Sequence, residues 1–138
     1  MGSVESSQAF EFVLRGPPVS LGAKTKNNAR YVRWIKQVHE TAKKAWPVNQ
    51  APTRSLQVEL LITNYFTTVR PDVDNVIKPI SDAVEGIVYN SDAQVWRVMS
   101  ARIDMKDKPL AVQPAPAVAK VIGEWDEIVY IQVKWRED

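Results

Sequence analysis

Cysteine is absent from this sequence of 138 residues, and histidine occurs once. The first absence excludes disulfide scaffolds, thiolate metal sites and cysteine nucleophiles. With one histidine, a multi-histidine metal site or a histidine-based catalytic triad is implausible. The sequence also lacks any apolar run of about 18 residues, so we expect no membrane span and, without an address signal, a cytoplasmic protein.

What is present is typical of one globular domain, since hydrophobic residues make up 45% of the chain and charged residues 25%. A chain of this length buries roughly two thirds of its unfolded surface and can therefore build its own core. We predict one domain over residues 1–138, with residues 1–7 disordered. Residues 107–120, where three prolines lie among alanines, are predicted to form an irregular connection.

The positive charge is concentrated in one stretch of the chain. Between Ser20 and Arg54 there are eight lysines and arginines and a single acid, Glu40. From Ser55 onward, nine cations face 13 acids. Such a stretch is either a solvated basic helix face, which composition alone favours, or a surface that binds a polyanion such as nucleic acid.

Hydrophobic periodicity predicts the element order β-α-β-α-β-β. The four strands are expected at about residues 10–15, 56–66, 95–105 and 128–135, and the two helices at residues 28–46 and from Asn75 to about Glu85. Asp74 is a candidate cap for the second helix, and Gly86 a candidate stop. Pro79, just past the first turn, leaves open a helix that begins a residue or two later or bends there. We therefore predict an α+β fold, in which two main helices pack on a single mixed β-sheet.

Three finer expectations concern burial. The first helix should bury its apolar face and expose Arg33, Lys36 and their charged neighbours. The third strand should bury one side, formed by Val95, Met99, Ala101 and Ile103. The five tryptophans are expected in the core or in an interface, and His39 at the boundary of a helix face.

The chemistry is expected in residues 70–92, which contain several aspartates and a lysine. Asp72 and Asp74 are two residues apart and point the same way in an extended segment, while Asp74, Lys78 and Asp82 are each four apart and share a helix face. Asp92 can return beside the helix start. Carboxylates that converge at about 5 Å repel by roughly 3 kcal/mol per pair, which protonation or a hard divalent ion such as Mg²⁺ would relieve.

The same residues also allow an interpretation in which they have only structural roles. Asp74 can be only a helix cap, Lys78 and Asp82 only a surface pair, and Asp72 and Asp92 only loop residues that bond their own backbone. For a single aspartate the structural interpretation is favoured, whereas the whole set at this spacing favours a metal site.

The same segment resembles the signature of the RusA family of Holliday junction resolvases, small Mg²⁺-dependent homodimeric endonucleases. The resemblance rests on Asp72-Val73-Asp74-Asn75-Val76-Ile77-Lys78, on Asp82-Ala83 and Gly86-Ile87, on Asp92-Ala93-Gln94-Val95, and on the early Gly16-Pro17-Pro18-Val19-Ser20. It covers roughly Phe10 to Met105.

The resemblance implies a RusA-like nuclease domain that cleaves four-way DNA junctions in recombination and repair, with Mg²⁺ replaceable by Mn²⁺. It implies that Asp72, Asp74 and Asp92 are the metal ligands, that Lys78 is catalytic together with them, and that Asp82 and Asn75 have supporting roles. The implied partners are branched DNA and a second copy of the chain, with no membrane. From the basic stretch, the candidate phosphate contacts are Lys24, Lys26, Arg30, Arg33 and Lys36.

Two positions depart from the family pattern: Ser91 stands where the family often has an aspartate, and Pro79 follows the lysine. These departures leave open a protein that binds junctions or other branched DNA without cleaving it. A third alternative is that the same fold acts on another phosphodiester, such as a DNA flap or RNA.

Overall fold

Four strands form one mixed sheet in this computed structural model, which describes residues 6–24 and 28–137. The strands are β1 (Ser6–Arg15), β2 (Val58–Phe66), β3 (Val95–Asp104) and β4 (Ile128–Glu137), in the order β1-β4-β2-β3. β4 pairs antiparallel with β1 and β2, and β2 pairs parallel with β3. The predicted α+β fold with a mixed sheet is therefore confirmed.

One face of the sheet is covered by the two main helices, α1 (Asn28–Ala45) and α2 (Ile77–Val84). The apolar side of α1 is buried against the alternate residues Phe10, Phe12 and Leu14 of β1, as their spacing predicts. Trp46, just after α1, packs edge-on against Phe10 with ring centroids 5.0 Å apart. Each large apolar side chain buried here stabilises the fold by roughly 1.5–3 kcal/mol. This is the main core.

The other face is covered only at one end. A smaller cluster there contains Tyr65, Ile103 and Tyr130, together with Val118 from the segment between β3 and β4. Residues 107–120 are thus not wholly irregular, because Pro116–Ala119 form a one-turn helix, α3, and Val118 is completely buried. The alternation of prolines and alanines conceals this turn from periodicity arguments, although proline at the first helical position is favourable.

β3 differs most from its prediction. Of the four residues expected on its buried side only Ile103 is buried, Val95 is partly covered, and Met99 and Ala101 are exposed. β3 lies at the edge of the sheet beyond β2, where the opposite face has little cover. Trp96, which the register shift between β2 and β3 leaves without a partner residue in β2, is 62% exposed, whereas Trp34, Trp46 and Trp135 are buried as expected.

Several predicted boundaries also change. Leu56 lies outside β2 and is exposed, and Ser6 and Ser7 belong to β1, so predicted disorder does not hold for these two residues. Residues 1–5, also predicted to be disordered, lie outside the described residues. His39 is at a boundary, as expected, with Nδ1 2.9 Å from the carbonyl oxygen of Ala83. Along the part of the chain that is described, none of the helices has the length and apolar character that a membrane crossing needs.

α2 begins at Ile77, two residues after Asn75, which is the later start that Pro79 left open. Its N-cap is Val76, which makes no side-chain capping bond, so the predicted capping by Asp74 is wrong. Residues 73–76 form turns instead, and Pro79 is then the third helical residue, where the missing N–H costs no intrahelical bond. Gly86 follows the helix with φ of +90°, a conformation that favours glycine, and its N–H donates to the carbonyl of Tyr89.

Candidate active site

The predicted site residues lie where the loop after β2 meets the start of α2 and the turn before β3. We call residues 67–76 the Asp72 loop, and the side chains of Lys78, Asp82 and Asp92 the Lys78 cluster. The loop leaves the buried end of β2, and the short 3₁₀ turn Asp92–Gln94 leads directly into β3. Because β2 and β3 are parallel, the loop and the turn lie at opposite ends of this strand pair, and α2 joins them along the chain.

Asp72 is fixed by its own loop. Its Oδ1 accepts hydrogen bonds from the backbone N–H of Asp74 at 3.0 Å and of Asn75 at 3.5 Å. Its Oδ2 accepts a bond from the side-chain amide of Asn75 at 3.0 Å. The bond from the Asp74 N–H, with those from Asn75 and the nearby charge of Arg102, holds the pKa of Asp72 below its usual value. Asp72 is therefore an ionised, oriented carboxylate at neutral pH.

Lys78 contacts one acid on its own helix and one acid from the turn before β3. Its Nζ lies 2.9 Å from Asp82 Oδ1 and 3.9 Å from Asp92 Oδ2. The hydrogen bond to Asp82, together with the charges of Asp82 and Asp92, raises the pKa of Lys78. The ammonium is thus protonated at neutral pH. The prediction that Asp92 returns beside the start of α2 is confirmed by this contact.

The turn that carries Asp92 is built by two neighbours. Ser91 accepts a hydrogen bond from the N–H of Ala93 at 3.2 Å and caps the turn. The buried amide of Gln94 accepts from the N–H of Asn90 and of Ser91, and donates to the carbonyls of Thr53 and Ser55 at 2.8 and 2.9 Å. Ser91 is therefore a structural cap here, a role that short polar residues share with aspartate.

Sequence reasoning gave no role to Gln94, although its side chain ties the turn to the segment before β2. A buried glutamine with all its polar atoms bonded is expected to hold a turn rigidly. The only sequence signal was the serine three residues earlier, which is the spacing of a capping box.

The three predicted metal ligands are not gathered in this structure. Asp74 and Asp92 are exposed, and both oxygens of Asp72 bond to its own loop. Within residues 6–24 and 28–137 no group of three or more acidic or histidine side chains is arranged to hold a metal ion. The chemistry of the donors suits a hard divalent ion, since all three are carboxylates. Their role as ligands stays a prediction.

Cations lie close to Asp72. Arg30 and Arg70 line a pocket of about 230 Å³ together with Asp72. Arg102 of β3 donates to the carbonyl of Pro71 at 3.1 Å. Arg33 and Lys36 lie on the exposed side of α1, as predicted. Lys26 lies outside the described residues, and of Lys24 only the backbone, in the 3₁₀ turn Leu21–Lys24, is described.

A pocket lined by two arginines and the Asp72 carboxylate, with Lys78 on the helix that follows, suits the charge of a phosphate ester. Residues 16–113 match the family endodeoxyribonuclease RusA, and the chain belongs to that family. The predicted family is thereby confirmed, and with it the class of endonuclease. No curated protein matches the chain. The match ends before α3 and β4, so both lie outside it.

Proposed function

We propose that this protein is a metal-dependent endonuclease that resolves four-way DNA junctions in recombination and repair. The observation that carries the proposal is the contact between Lys78 and Asp92, which brings a protonated amine from α2, the helix after the Asp72 loop, beside an acid from the turn before β3. In this proposal Asp72, Asp74, Asp92 and Lys78 are the catalytic residues. Asp82 and Asn75 support them by holding Lys78 and Asp72.

Mg²⁺ is the proposed ion, and Mn²⁺ is expected to replace it, since both prefer oxygen ligands. Asp72, Asp74 and Asp92 would hold it; the exposed side chains of Asp74 and Asp92 can reorient without disturbing the core. When bound, the ion would supply an activated water and stabilise negative charge at the scissile phosphate. Lys78, held protonated by its two acids, would donate to a phosphate oxygen or to the leaving oxygen.

The DNA backbone is proposed to lie along the cations beside the site. Arg30 shares a pocket with Asp72, and Arg33 and Lys36 continue along the same helix, with Lys24 and Lys26 before it. If the assembly neutralises about 6–10 phosphates, junction affinity should fall by about 10³–10⁵ between 50 and 200 mM salt.

We propose a symmetric dimer, because two sites related by a two-fold axis can act on opposing strands of a junction. The outer edge of β3 supports this arrangement. Among the strands that the structure describes, none pairs with that edge, and Trp96, Val98 and Met99 are 62%, 41% and 46% exposed. A long edge strand with exposed apolar side chains is suited to pairing with a second copy. Analytical ultracentrifugation should give two chains per particle for the wild type. The Trp96→Glu variant should be shifted toward the monomer.

The decisive assay is cleavage of a synthetic four-way junction with Mg²⁺, comparing the wild type with Asp74→Asn. We expect symmetric nicks by the wild type and a loss of more than about 100-fold in the variant, because a ligand should matter more than the neighbours of ligands do. Equal cutting by both proteins would contradict the site, and cleavage of flaps or RNA in preference to junctions would contradict the substrate.

The alternative function is junction binding without cleavage, which the ungathered carboxylates favour. It predicts salt-sensitive junction binding in EDTA and no nicking with Mg²⁺ or Mn²⁺ at any concentration. Binding in EDTA followed by nicking on addition of Mg²⁺ would exclude it.

A further inference from the structure

Glu127 is a buried acid outside the predicted site. It is the last residue before β4 and only 8% exposed. Its Oε1 accepts hydrogen bonds from the backbone N–H of Thr68 at 3.1 Å and of Val69 at 3.2 Å. Its own carbonyl accepts from the N–H of Gly16 at 3.0 Å. A buried carboxylate is costly unless it is hydrogen-bonded, so these two N–H groups account for its place.

The two N–H groups belong to the loop that carries Asp72. Neighbouring loop carbonyls are held as well, that of Thr67 by the ammonium of Lys106 and that of Pro71 by Arg102 at 3.1 Å. Lys106 and Arg102 follow or belong to β3, whereas Glu127 precedes β4. The loop is thus held by side chains from two other parts of the chain. Arg102 and Lys106 hold it from the β3 region, and of these three side chains only Glu127 holds it from the start of β4.

Glu127 also lies outside residues 16–113, the part of the chain that matches the family. The part of the chain that matches the family therefore does not contain the carboxylate that accepts the hydrogen bonds from Thr68 and Val69. Two consecutive backbone bonds restrict this segment much more than one would, because each fixes a different peptide plane. Since Asp72 follows Val69 by three residues, the loop's attachment limits where its carboxylate can lie.

We propose that Glu127 is a positioning residue for the candidate active site, and that its carboxylate holds the Asp72 loop in place. This inference rests on the proposed function. Removing the carboxylate should release the N–H groups of Thr68 and Val69, and the Asx turn that Asp72 makes with Asp74 and Asn75 should loosen in consequence. Residues that orient metal-binding side chains typically affect activity by about 10–100-fold.

The experiment compares Glu127→Leu, Glu127→Gln and the wild type, with Glu124→Leu as a control at an exposed acid of the same segment. Amide hydrogen exchange is measured without metal or DNA, and junction cleavage and junction binding in EDTA are measured separately. In Glu127→Leu we expect faster exchange at Thr68, Val69 and Asp74, with exchange at Leu60 and Ile131 unchanged. Cleavage should fall by about 10–100-fold, with junction affinity within about twofold.

Glu127→Gln should restore both readouts to near the wild type, because the amide oxygen can accept the same two bonds. Wild-type exchange at Asp74 in Glu127→Leu would overturn the inference, as would faster exchange throughout the sheet, which would mark a merely structural role. Failure of the wild type to cleave would contradict the proposed function instead. In that case the exchange at Thr68, Val69 and Asp74 still decides whether Glu127 holds the loop.

Discussion

The Asp72 loop and the Lys78 cluster are built in different ways, although they form two halves of one candidate site. Backbone N–H groups of the loop donate to the carboxylates of Glu127 and of Asp72 itself, and Arg102 donates to a loop carbonyl. The Lys78 cluster is held by two ion pairs whose side chains are between 37% and 61% exposed. Exposed ion pairs contribute little stability and rearrange easily.

This difference indicates that the two parts have different roles in the proposed enzyme. The loop presents an oriented, ionised carboxylate before any ligand binds, which reduces the cost of organising the site. The cluster keeps a protonated lysine close to Asp92 until a competing partner, such as a phosphate, draws it away. Substitutions in the loop should therefore slow junction cleavage by misplacing the Asp72 carboxylate. Substitutions in the Lys78 cluster should slow it by changing the charge beside the phosphate.

The largest effect is expected from Asp72→Asn. The asparagine oxygen can still accept the bond from the Asp74 N–H. Its amide nitrogen cannot accept the bond from Asn75 Nδ2, but Asn75 can turn its own amide to present its oxygen, so the loop should keep its shape while one negative charge is lost. We expect junction cleavage to fall by more than about 100-fold, with a melting temperature close to the wild type. Asp126→Asn, at an exposed acid near β4, is the matched control. Cleavage near the wild-type rate would remove Asp72 from the site.

Lys78→Met should have the next largest effect. It retains the length of the side chain and removes the ammonium, so we expect a fall of about 100-fold in the single-turnover rate, similar to the loss of one charge-stabilising donor elsewhere. Junction affinity in EDTA should change little. Lys78→Arg keeps the charge with different geometry and should recover part of the rate; a fully active methionine variant would show that Lys78 is only a surface pair.

Asp82→Asn should have a smaller effect than Lys78→Met, because it changes a neighbour of the lysine and leaves the ammonium in place. Lys78 would keep a hydrogen-bond acceptor at this position but lose its negative charge, which leaves Asp92 as its one charged partner in the cluster and should lower the cleavage rate by a few-fold to about tenfold. The melting temperature should hardly move, because a half-exposed ion pair stabilises a protein very little. A large loss of stability would show that Asp82 serves the fold rather than Lys78.

Changes on α1 should leave both halves of the site intact. Arg33→Gln with Lys36→Gln should weaken junction binding and reduce the slope of log affinity against log salt by about 2, because each removed cation leaves one phosphate without its neutralising charge. The rate at saturating DNA should not change. Lys43→Gln with Lys44→Gln, at the far end of the same helix, is the comparison, and equal effects of both pairs would indicate non-specific attraction.

The sequence predicts the elements whose burial is one-sided. Apolar residues recur at every second position in β1 and at every third or fourth position in α1. Periodicity places α1 to within one residue, whereas β1 begins four residues earlier than predicted. The position of β3 was predicted nearly to the residue, but its buried side was not, since its exposure follows from its place at the sheet edge rather than from its own residues. Tertiary placement decides burial there.

The site shows the same limit. The contact between Lys78 and Asp92 follows from a helix and a short return turn, so local spacing could predict it. The hold of Glu127 on Thr68 and Val69 depends on how β4 lies beside β2, which no local pattern contains. The start of α2 was misplaced because Asp74 has the residue type of a cap, while its neighbour Asp72 makes the local backbone bonds instead.

The central claim is that Asp72, Asp74 and Asp92 bind the same metal ion. It is tested most directly by soaking a crystal in Mn²⁺ and measuring anomalous scattering at the manganese absorption edge. We predict an anomalous peak in contact with the carboxylate oxygens of these aspartates, with Lys78 moved away from Asp92 or bound beside the ion. A crystal with full Mn²⁺ occupancy elsewhere and no peak among the three aspartates would contradict the account.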